Sequence, residues 1–569
     1  MRLKIIRLII SFGFLAVSAG LVYVQFLHGE YYYSLSKNNR IRVVPIEGKR
    51  GKIFDKNNVV LADNRLSFDV VLIPQELKNK EELFSYLAEV LKYDREKLLK
   101  DFNKKKLAPF MPVALAEDVP KEAAIVLEEN KFRFPGLSIE ANARRYYPFR
   151  QVDAHLLGYV GKISRSKITQ LKDYGYAVQN IIGYSGIEEF YDSFLKGEDG
   201  GLQVEVNNRG EQVRVLGIRD SLSGQDITLT VDNRIQSMAY ELLAGRSGAI
   251  VVMDLATDAI LGLVSSPSFD PNDFVENKSA VSSYFTDSLA PLLNRVIGGQ
   301  YPPGSTFKVM LALAALENKK IEPQTTFLCP GYYQLGRRQF RCSHSHGAQN
   351  LTEGIGHSCN VYFFNTGLKT GPDLMAQYAR MFTLGGFTNI DLPHEKPGFI
   401  PDPSQRKARR QGWYNGDTLN FSIGQGEVLA TPIQLVTMMA MVANNGRKIH
   451  PHILQSIGSE SMESAVDQAQ VVNVSQESLE IVRTGLRAAV GDYSGTAHLL
   501  DIANLTVLGK TGTAQTSGGR DSHAWFVGYC PDAKTKIAFC VFLEFGGSSY
   551  YACQVAQSLL LRMMQEKIL

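Results

Sequence analysis

No part of this chain is given over to one sign of charge. Its 61 lysines and arginines nearly balance 57 aspartates and glutamates, for a formal charge of +4. No basic block or RNA-binding motif makes nucleic acid a partner. Internal repeats and low-complexity tracts are absent, and 44% hydrophobic with 21% charged residues is the composition of an ordinary folded protein. Cysteine is missing until Cys329; the six present (Cys329, Cys342, Cys359, Cys530, Cys540 and Cys553) all lie in the second half, which confines any thiol-based metal site or disulfide to that half. A long apolar run occurs once. Leu8 to Leu27 is twenty residues without a charge, about the ~20 needed to cross a bilayer.

Arg2, Lys4 and Arg7 precede that run. The bias predicts a single-pass anchor with its N-terminus in the cytoplasm and the bulk of the chain outside the membrane. Ala16-Val17-Ser18 offers a signal-peptide cleavage site as the alternative, but cutting there leaves the apolar Leu21–Leu27 as the mature N-terminus. A chain of 569 residues exceeds one hydrophobic core, so two or three domains are expected.

Chemistry is concentrated in three strings: Ser305-Thr306-Phe307-Lys308, Ser358-Cys359-Asn360 and Lys510-Thr511-Gly512-Thr513. Singly each is weak. Ser-x-x-Lys recurs at Ser34/Lys37, Ser164/Lys167, Ser193/Lys196 and Ser404/Lys407, and Lys-Thr-Gly recurs at Lys369-Thr370-Gly371. Context separates them. Tyr301-Pro302-Pro303-Gly304 is a turn, and Val309–Leu316 reads as a buried helix. Ser305 in the first turn and Lys308 three residues on share one face, as a nucleophile and its base require. Lys510 follows the strand pattern Leu505–Leu508, whereas Lys369-Thr370-Gly371 runs into Pro372 and reads as a helix end or turn. The stray Ser-x-x-Lys matches read as solvated surface.

In that order the strings resemble the S-x-x-K, S-D-N and K-T-G set of penicillin-binding proteins and β-lactamases, with Cys359 in place of the middle Asp. The first half extends the likeness. Arg50-Gly51-Lys52-Ile53-Phe54-Asp55 with Leu61-Ala62-Asp63-Asn64, Arg145-Tyr146-Tyr147-Pro148 and His155–Gly161 resemble the pedestal of class B penicillin-binding proteins. Gly183–Glu188 and Tyr191–Gly197 match the same family. The resemblance covers nearly the whole chain and points to the elongation-type penicillin-binding protein 2 group.

It implies an α+β architecture in three parts. Residues 1–28 form the cytoplasmic tip and transmembrane anchor, 29–225 an extended β-rich pedestal, and 226–569 a transpeptidase domain with an antiparallel sheet flanked by helices, like the serine β-lactamases. Within these parts, Asn79 to Phe102 has helical apolar spacing with Asn79 as N-cap, and a β-rich polar segment follows. Ala249–Asp254 and Ala259–Val264 form a hairpin across Leu255–Asp258. Leu505–Gln515, Ala524–Tyr529 and Lys536–Phe545 are late strands, and Ala552–Met564 is a closing helix.

The resemblance also assigns roles. Ser305 is the nucleophile that attacks a peptidoglycan stem ending in D-Ala-D-Ala, with β-lactams as covalent mimics of that donor. Lys308 is its base, its pKa depressed by the helix N-terminus and by Lys510. Ser358 relays a proton, and Asn360 holds the substrate's peptide bond. Lys510, Thr511 and Thr513 receive the terminal carboxylate, Gly512 lets the substrate backbone approach, and the Ser305 and Thr513 N–H groups form the oxyanion hole. With no glycosyltransferase motif present, glycan polymerisation is expected from a SEDS-type (RodA-like) membrane glycosyltransferase working with elongation-complex proteins.

Cys329, Cys342, His346 and Cys359 form a candidate structural zinc site of three thiolates and one imidazole, with His344 able to replace His346. Some elongation-type relatives bind zinc here through an Asp/Asp/His/Cys set, so this chain has cysteine in place of both aspartates. A Cys329–Cys342 disulfide or free buried thiols are the other readings. Cys530, Cys540 and Cys553 read as core. A septal enzyme of the same class, a β-lactamase or sensor, and a non-enzymatic activator of a membrane polymerase remain as functional alternatives.

Overall fold

Continuously apolar strands and fully apolar helices dominate the second half, and in the computed structural model they make one layered core. The structure describes residues 2–32, 41–106, 108–109, 111–163, 181–206, 212–276, 278–461, 470–516 and 518–569. These residues form two compact units. One comprises Met1–Gly51, Asn64–Arg144 and Lys196–Gly224; the other comprises Lys52–Asp63, Arg145–Leu195 and Gln225–Leu569. Lys52–Asp63 and Arg145–Leu195 join the second unit because their apolar side chains (Ile53, Leu61, Tyr147, Leu156, Leu157, Ile187) belong to its core.

In the first unit, helix Arg2–Val22 runs on through Tyr23–Leu27. Leu3–Leu27 is long and apolar enough to cross a membrane, and begins five residues before the uncharged run. The predicted helix over Asn79–Phe102 is two helices, Lys80–Leu91 and Arg95–Lys105. Asn79 caps the first by accepting from the Glu82 N–H, as expected. Lys92 then turns left-handed at φ 55°, and Asp94 caps the second helix by accepting from the Lys97 N–H. The apolar spacing survives the break, so Leu83, Leu87, Leu98 and Phe102 still share one core with Val70 and Leu72. The segment after Phe102 is less β-rich than expected, since helix Lys121–Asn130 separates strands Val113–Val119 and Leu137–Tyr146.

The second unit is built on five antiparallel strands: β1 (Gly248–Asp254), β2 (Ile260–Ser266), β3 (Leu508–Ala514), β4 (His523–Cys530) and β5 (Ile537–Leu543). Their order is β2-β1-β5-β4-β3, which leaves β3 on an edge. The expected hairpin forms, with Gly248 opposite Ser266. β3 begins later than expected, because Leu505 pairs with Ile502 in a turn. Both faces of the sheet are apolar. Ile250, Val252, Phe526, Phe539 and Val541 pack with helices Asn233–Leu243 and Ser549–Gln565. The alternating set Val251, Trp525, Val527 and Phe542 faces helices Lys308–Glu317 and Pro432–Ala443. Full burial of each such side chain is worth roughly 1.5–3 kcal/mol. Cys530, Cys540 and Cys553 are buried core residues, as expected.

Beside this sheet, Arg145 and Glu188 form a buried ion pair. Arg145 Nε donates to Glu188 Oε1 at 2.6 Å, and the Tyr147 hydroxyl donates to the same oxygen at 3.1 Å.

Candidate active site

The turn Tyr301–Gly304 leads into a single 3-10 turn, Gly304–Phe307, that continues directly as helix Lys308–Glu317. Ser305 thus precedes the α-helix by one turn rather than lying within it. Gly304 adopts φ +58°, and a Cβ there would lie 2.9 Å from the Thr513 carbonyl oxygen. On β3, a Cβ at Gly512 would lie 2.9 Å from Pro303 O and 3.1 Å from Trp525 Cβ. The two glycines let the nucleophile turn pack directly on the edge strand. Close packing of the protein on itself is one requirement that Gly512 meets. The same approach sets Gly304, the residue before Ser305, against Thr513.

Lys308 is fully buried. Its Nζ donates to the Ser358 carbonyl at 2.7 Å, to Asn360 Oδ1 at 2.7 Å and to Ser358 Oγ at 3.3 Å. Among the described residues no hydrogen bond joins it to Ser305. Burial pushes its pKa down to about 8, with Cys342 and Cys359 opposing the fall. Desolvation, not the Lys510 charge, is the leading cause. Ser358 takes φ 55° between helices Leu351–Gly356 and Asn360–Thr370. That left-handed conformation costs a non-glycine residue roughly 1–2 kcal/mol. Both ends of the Asn360 amide are engaged within the protein: Oδ1 accepts from Lys308, and Nδ2 donates to Arg341 O at 3.2 Å.

Lys510 is also fully buried, its Nζ donating to Thr511 O at 3.3 Å. Burial pushes its pKa well below the ordinary lysine value, and the charge of Lys308 adds to the fall. Thr511 is buried and donates its hydroxyl to Thr496 Oγ1 at 2.8 Å, while Thr513 is exposed at the edge of the sheet. β3 is an edge strand, and an exposed sheet edge can take an extended peptide as one more strand.

The metal-ligand candidates converge as well. The ligating atoms of Cys329, Cys342, His346 and Cys359 all lie within 4.8 Å of one another. His346 Nδ1 is 3.6 Å from Cys329 Sγ and 3.5 Å from Cys342 Sγ. Backbone N–H groups of Asn360 and Tyr362 donate to Cys342 Sγ at 3.1 Å and Cys359 Sγ at 3.4 Å. A hydrogen bond from the Cys359 thiol holds Cys342 well below its ordinary pKa. All six cysteines are unbridged, and the His344 carbonyl, not its ring, faces Cys329.

Of the stray motifs, Ser34/Lys37 and Ser164/Lys167 lie outside the described residues, and Ser193, Ser404 and Lys407 are exposed. Lys369-Thr370-Gly371 ends helix Asn360–Thr370, as expected. Sequence reasoning missed Thr496, His357 and Gln349. No motif marks them, and the Ser494-Gly495-Thr496 turn signal was the only cue.

The family profile described as "Penicillin binding protein transpeptidase domain" matches residues 248–565, and "Penicillin-binding Protein dimerisation domain" matches residues 45–229. "Peptidoglycan D,D-transpeptidase MrdA" of Acinetobacter baumannii is 34% identical, over 95% of this chain and 84% of that protein. The structure "Complex between Penicillin-Binding Protein (PBP2) and MreC from Helicobacter pylori" aligns at TM-score 0.80 and 29% identity, over 93% of this chain and 99% of that one. A structure described as "Structural coordination of polymerization and crosslinking by a peptidoglycan synthase complex" aligns at TM-score 0.74 and 29% identity, over 98% and 97%.

Proposed function

Because this chain belongs to the penicillin-binding protein transpeptidases, we propose that Ser305, Lys308, Ser358, Asn360 and Lys510 carry its reaction. The protein is a peptidoglycan D,D-transpeptidase of cell-wall elongation, a serine acyl-transfer enzyme. One observation carries the assignment of residues: the buried Lys308 amine, one turn from Ser305, is held by Ser358 and Asn360 beside a second buried lysine on the edge strand.

The stem peptide lies along β3, its terminal carboxylate toward Lys510, Thr511 and Thr513. Ser305 Oγ attacks the penultimate D-Ala carbonyl and gives its proton to neutral Lys308. The Ser305 and Thr513 N–H groups take the oxyanion, each donor worth roughly 2.7–4 kcal/mol by analogy with other acyl-transfer sites. Two short bonds occupy two N–H groups of Lys308, and its third contact is Ser358 Oγ. Ser358 therefore lies on the proton's path to the departing D-Ala amine. An amine of a neighbouring stem then displaces Ser305 from the ester, and a β-lactam stops at that ester. Asn360 serves first to position Lys308.

Cys329, Cys342, His346 and Cys359 hold one zinc ion in this reading. The observed S···N separations match the edge of a tetrahedral S₃N site, about 3.6 Å for ordinary Zn–S and Zn–N lengths. With no open position, the ion would serve structure only, tying hairpin Tyr332–Arg341 to the start of helix Asn360–Thr370.

Residues 1–28, 29–225 and 226–569 serve as anchor, pedestal and catalytic domain. The apolar N-terminal helix is a single-pass anchor. Its basic flank supports an orientation with the N-terminus inside and the enzyme outside the cytoplasmic membrane. The chain works with partner proteins and a glycan polymerase, as the synthase-complex and MreC-bound relatives do. A RodA-like polymerase fits an enzyme without glycosyltransferase motifs.

Labelling of membranes with fluorescent penicillin tests the reading. Wild type is expected to label stably near its mass of 63.1 kDa, and Ser305→Ala not at all. Labelling that persists in Ser305→Ala would assign the nucleophile elsewhere.

A further inference from the structure

We propose that Thr496 is a positioning residue for carboxylate recognition, its hydroxyl setting the direction in which the Thr511 hydroxyl donates. The inference rests on the transpeptidase reading above.

Thr496 lies on the loop that follows helix Gln476–Gly491. The loop is tied down inside and out. The Gly495 N–H donates to Asp492 O at 2.8 Å, and the Ala497 N–H donates to Ala489 O at 2.8 Å. Ser494 Oγ lies 3.0 Å from Nε2 of His357, the residue before Ser358. His357 Nδ1 lies 2.7 Å from Gln349 Oε1, and the Gln349 amide nitrogen donates to His346 O at 3.1 Å. Gln349 Oε1 can only accept, so His357 Nδ1 donates to it. Thr496 binds the Gly356 carbonyl through both its N–H and its hydroxyl, each at 3.3 Å. Thr511 donates to Thr496 Oγ1 at 2.8 Å. One short loop thus holds the approaches to both Ser358 and Lys510.

A threonine hydroxyl has one proton and two lone pairs. Without substrate, Thr511 spends its proton on Thr496, and Thr496 spends its own on Gly356 O at a distance long for an O–H···O bond. A carboxylate brings no proton, so Thr511 can bind it only by donating. Rotation of the Thr496 hydroxyl from Gly356 O to Thr511 Oγ1 frees the Thr511 proton for the carboxylate. The 2.8 Å contact is kept with its direction reversed. Only the long bond is lost, and Gly356 O keeps the Thr496 N–H. The gain is a charge-assisted bond to the substrate.

The test compares acylation rate constants for benzylpenicillin and its methyl ester on the full-length protein in detergent, with Tm measured alongside. Thr496→Val is expected to slow benzylpenicillin about three- to tenfold, the worth of one hydrogen bond. It leaves the ester rate and Tm as in wild type, and Thr496→Ser restores the benzylpenicillin rate. Should Thr496→Val unfold, Thr496→Ala is read in the same way. Equal losses on acid and ester, no loss on either, or failure of Thr496→Ser to restore the rate overturns the role of Thr496. A wild type that is never acylated overturns the transpeptidase reading and this inference with it.

Discussion

Lys308 Nζ lies 2.7 Å from the carbonyl oxygen of Ser358 and 3.3 Å from the hydroxyl of the same residue. The backbone of the second motif holds the amine, and its side chain is free for proton transfer. The left-handed turn at Ser358, φ 55°, aims the carbonyl inward. Replacement by alanine keeps that carbonyl and removes the relay, so penicillin acylation should fall by about 10²-fold or more with Tm little changed. Ser358→Gly, relieved of the strain, should be more stable than Ser358→Ala by about 1 kcal/mol. Thermal unfolding with the two variants in the opposite order would contradict this.

The Lys308 pKa of about 8 sets a pH profile. Acylation needs the neutral amine, so the rate should rise about tenfold per pH unit below 8 and level above it. Stopped-flow rates that are flat from about pH 6 to 9 would remove Lys308 as the base. The same displacement affects stability. The unfolded chain holds this proton up to its ordinary value of 10.5 and the folded protein only to about 8. The cost is full below 8 and is relieved as pH rises through that window, so this group makes stability increase between 8 and 10.5.

Gly512→Ala should reach the nucleophile through packing. Its Cβ would sit 2.9 Å from Pro303 O, where a backbone atom cannot yield cheaply. A loss of about 1–3 kcal/mol in stability is expected, together with slower acylation. Unchanged stability with acylation alone impaired would instead make Gly512 a substrate contact.

Glu188→Ala should cost about 3–5 kcal/mol, because it removes one side of a buried ion pair while the Arg145 charge stays buried. Denaturant titration measures the loss; a change below about 1 kcal/mol would mean that water replaces Glu188.

Metal analysis of purified protein should find about one zinc per chain. Chelation, or Cys329→Ser, should lower Tm while leaving Ser305 labelling intact at low temperature. Less than about a tenth of an equivalent, with a Cys329–Cys342 disulfide found by mass mapping, would end the zinc assignment.

The sequence by itself determined what is written locally. The uncharged N-terminal run, the Val309–Leu316 helix, the short apolar strands and the helix end at Lys369–Gly371 follow from period, composition and turn chemistry that a few neighbours suffice to read. It also singled out Ser305, Lys308 and Lys510 as candidates, because a turn before an apolar helix and a strand before Lys510 set them apart from the stray copies. Tertiary structure decided everything that depends on distant segments meeting. The helix break at Lys92–Asp94 keeps the apolar spacing and is invisible in it. The placement of Lys52–Asp63 and Arg145–Leu195 in the second unit is a matter of which core accepts their side chains. That Lys308 meets Ser358 fifty residues away, and Thr511 meets Thr496 across a loop, follows from the packing of the helices and the edge strand. Desolvation then shifted both lysines downward. Burial, which no string of letters displays, lowers the pKa of Lys308 more than any neighbouring charge does.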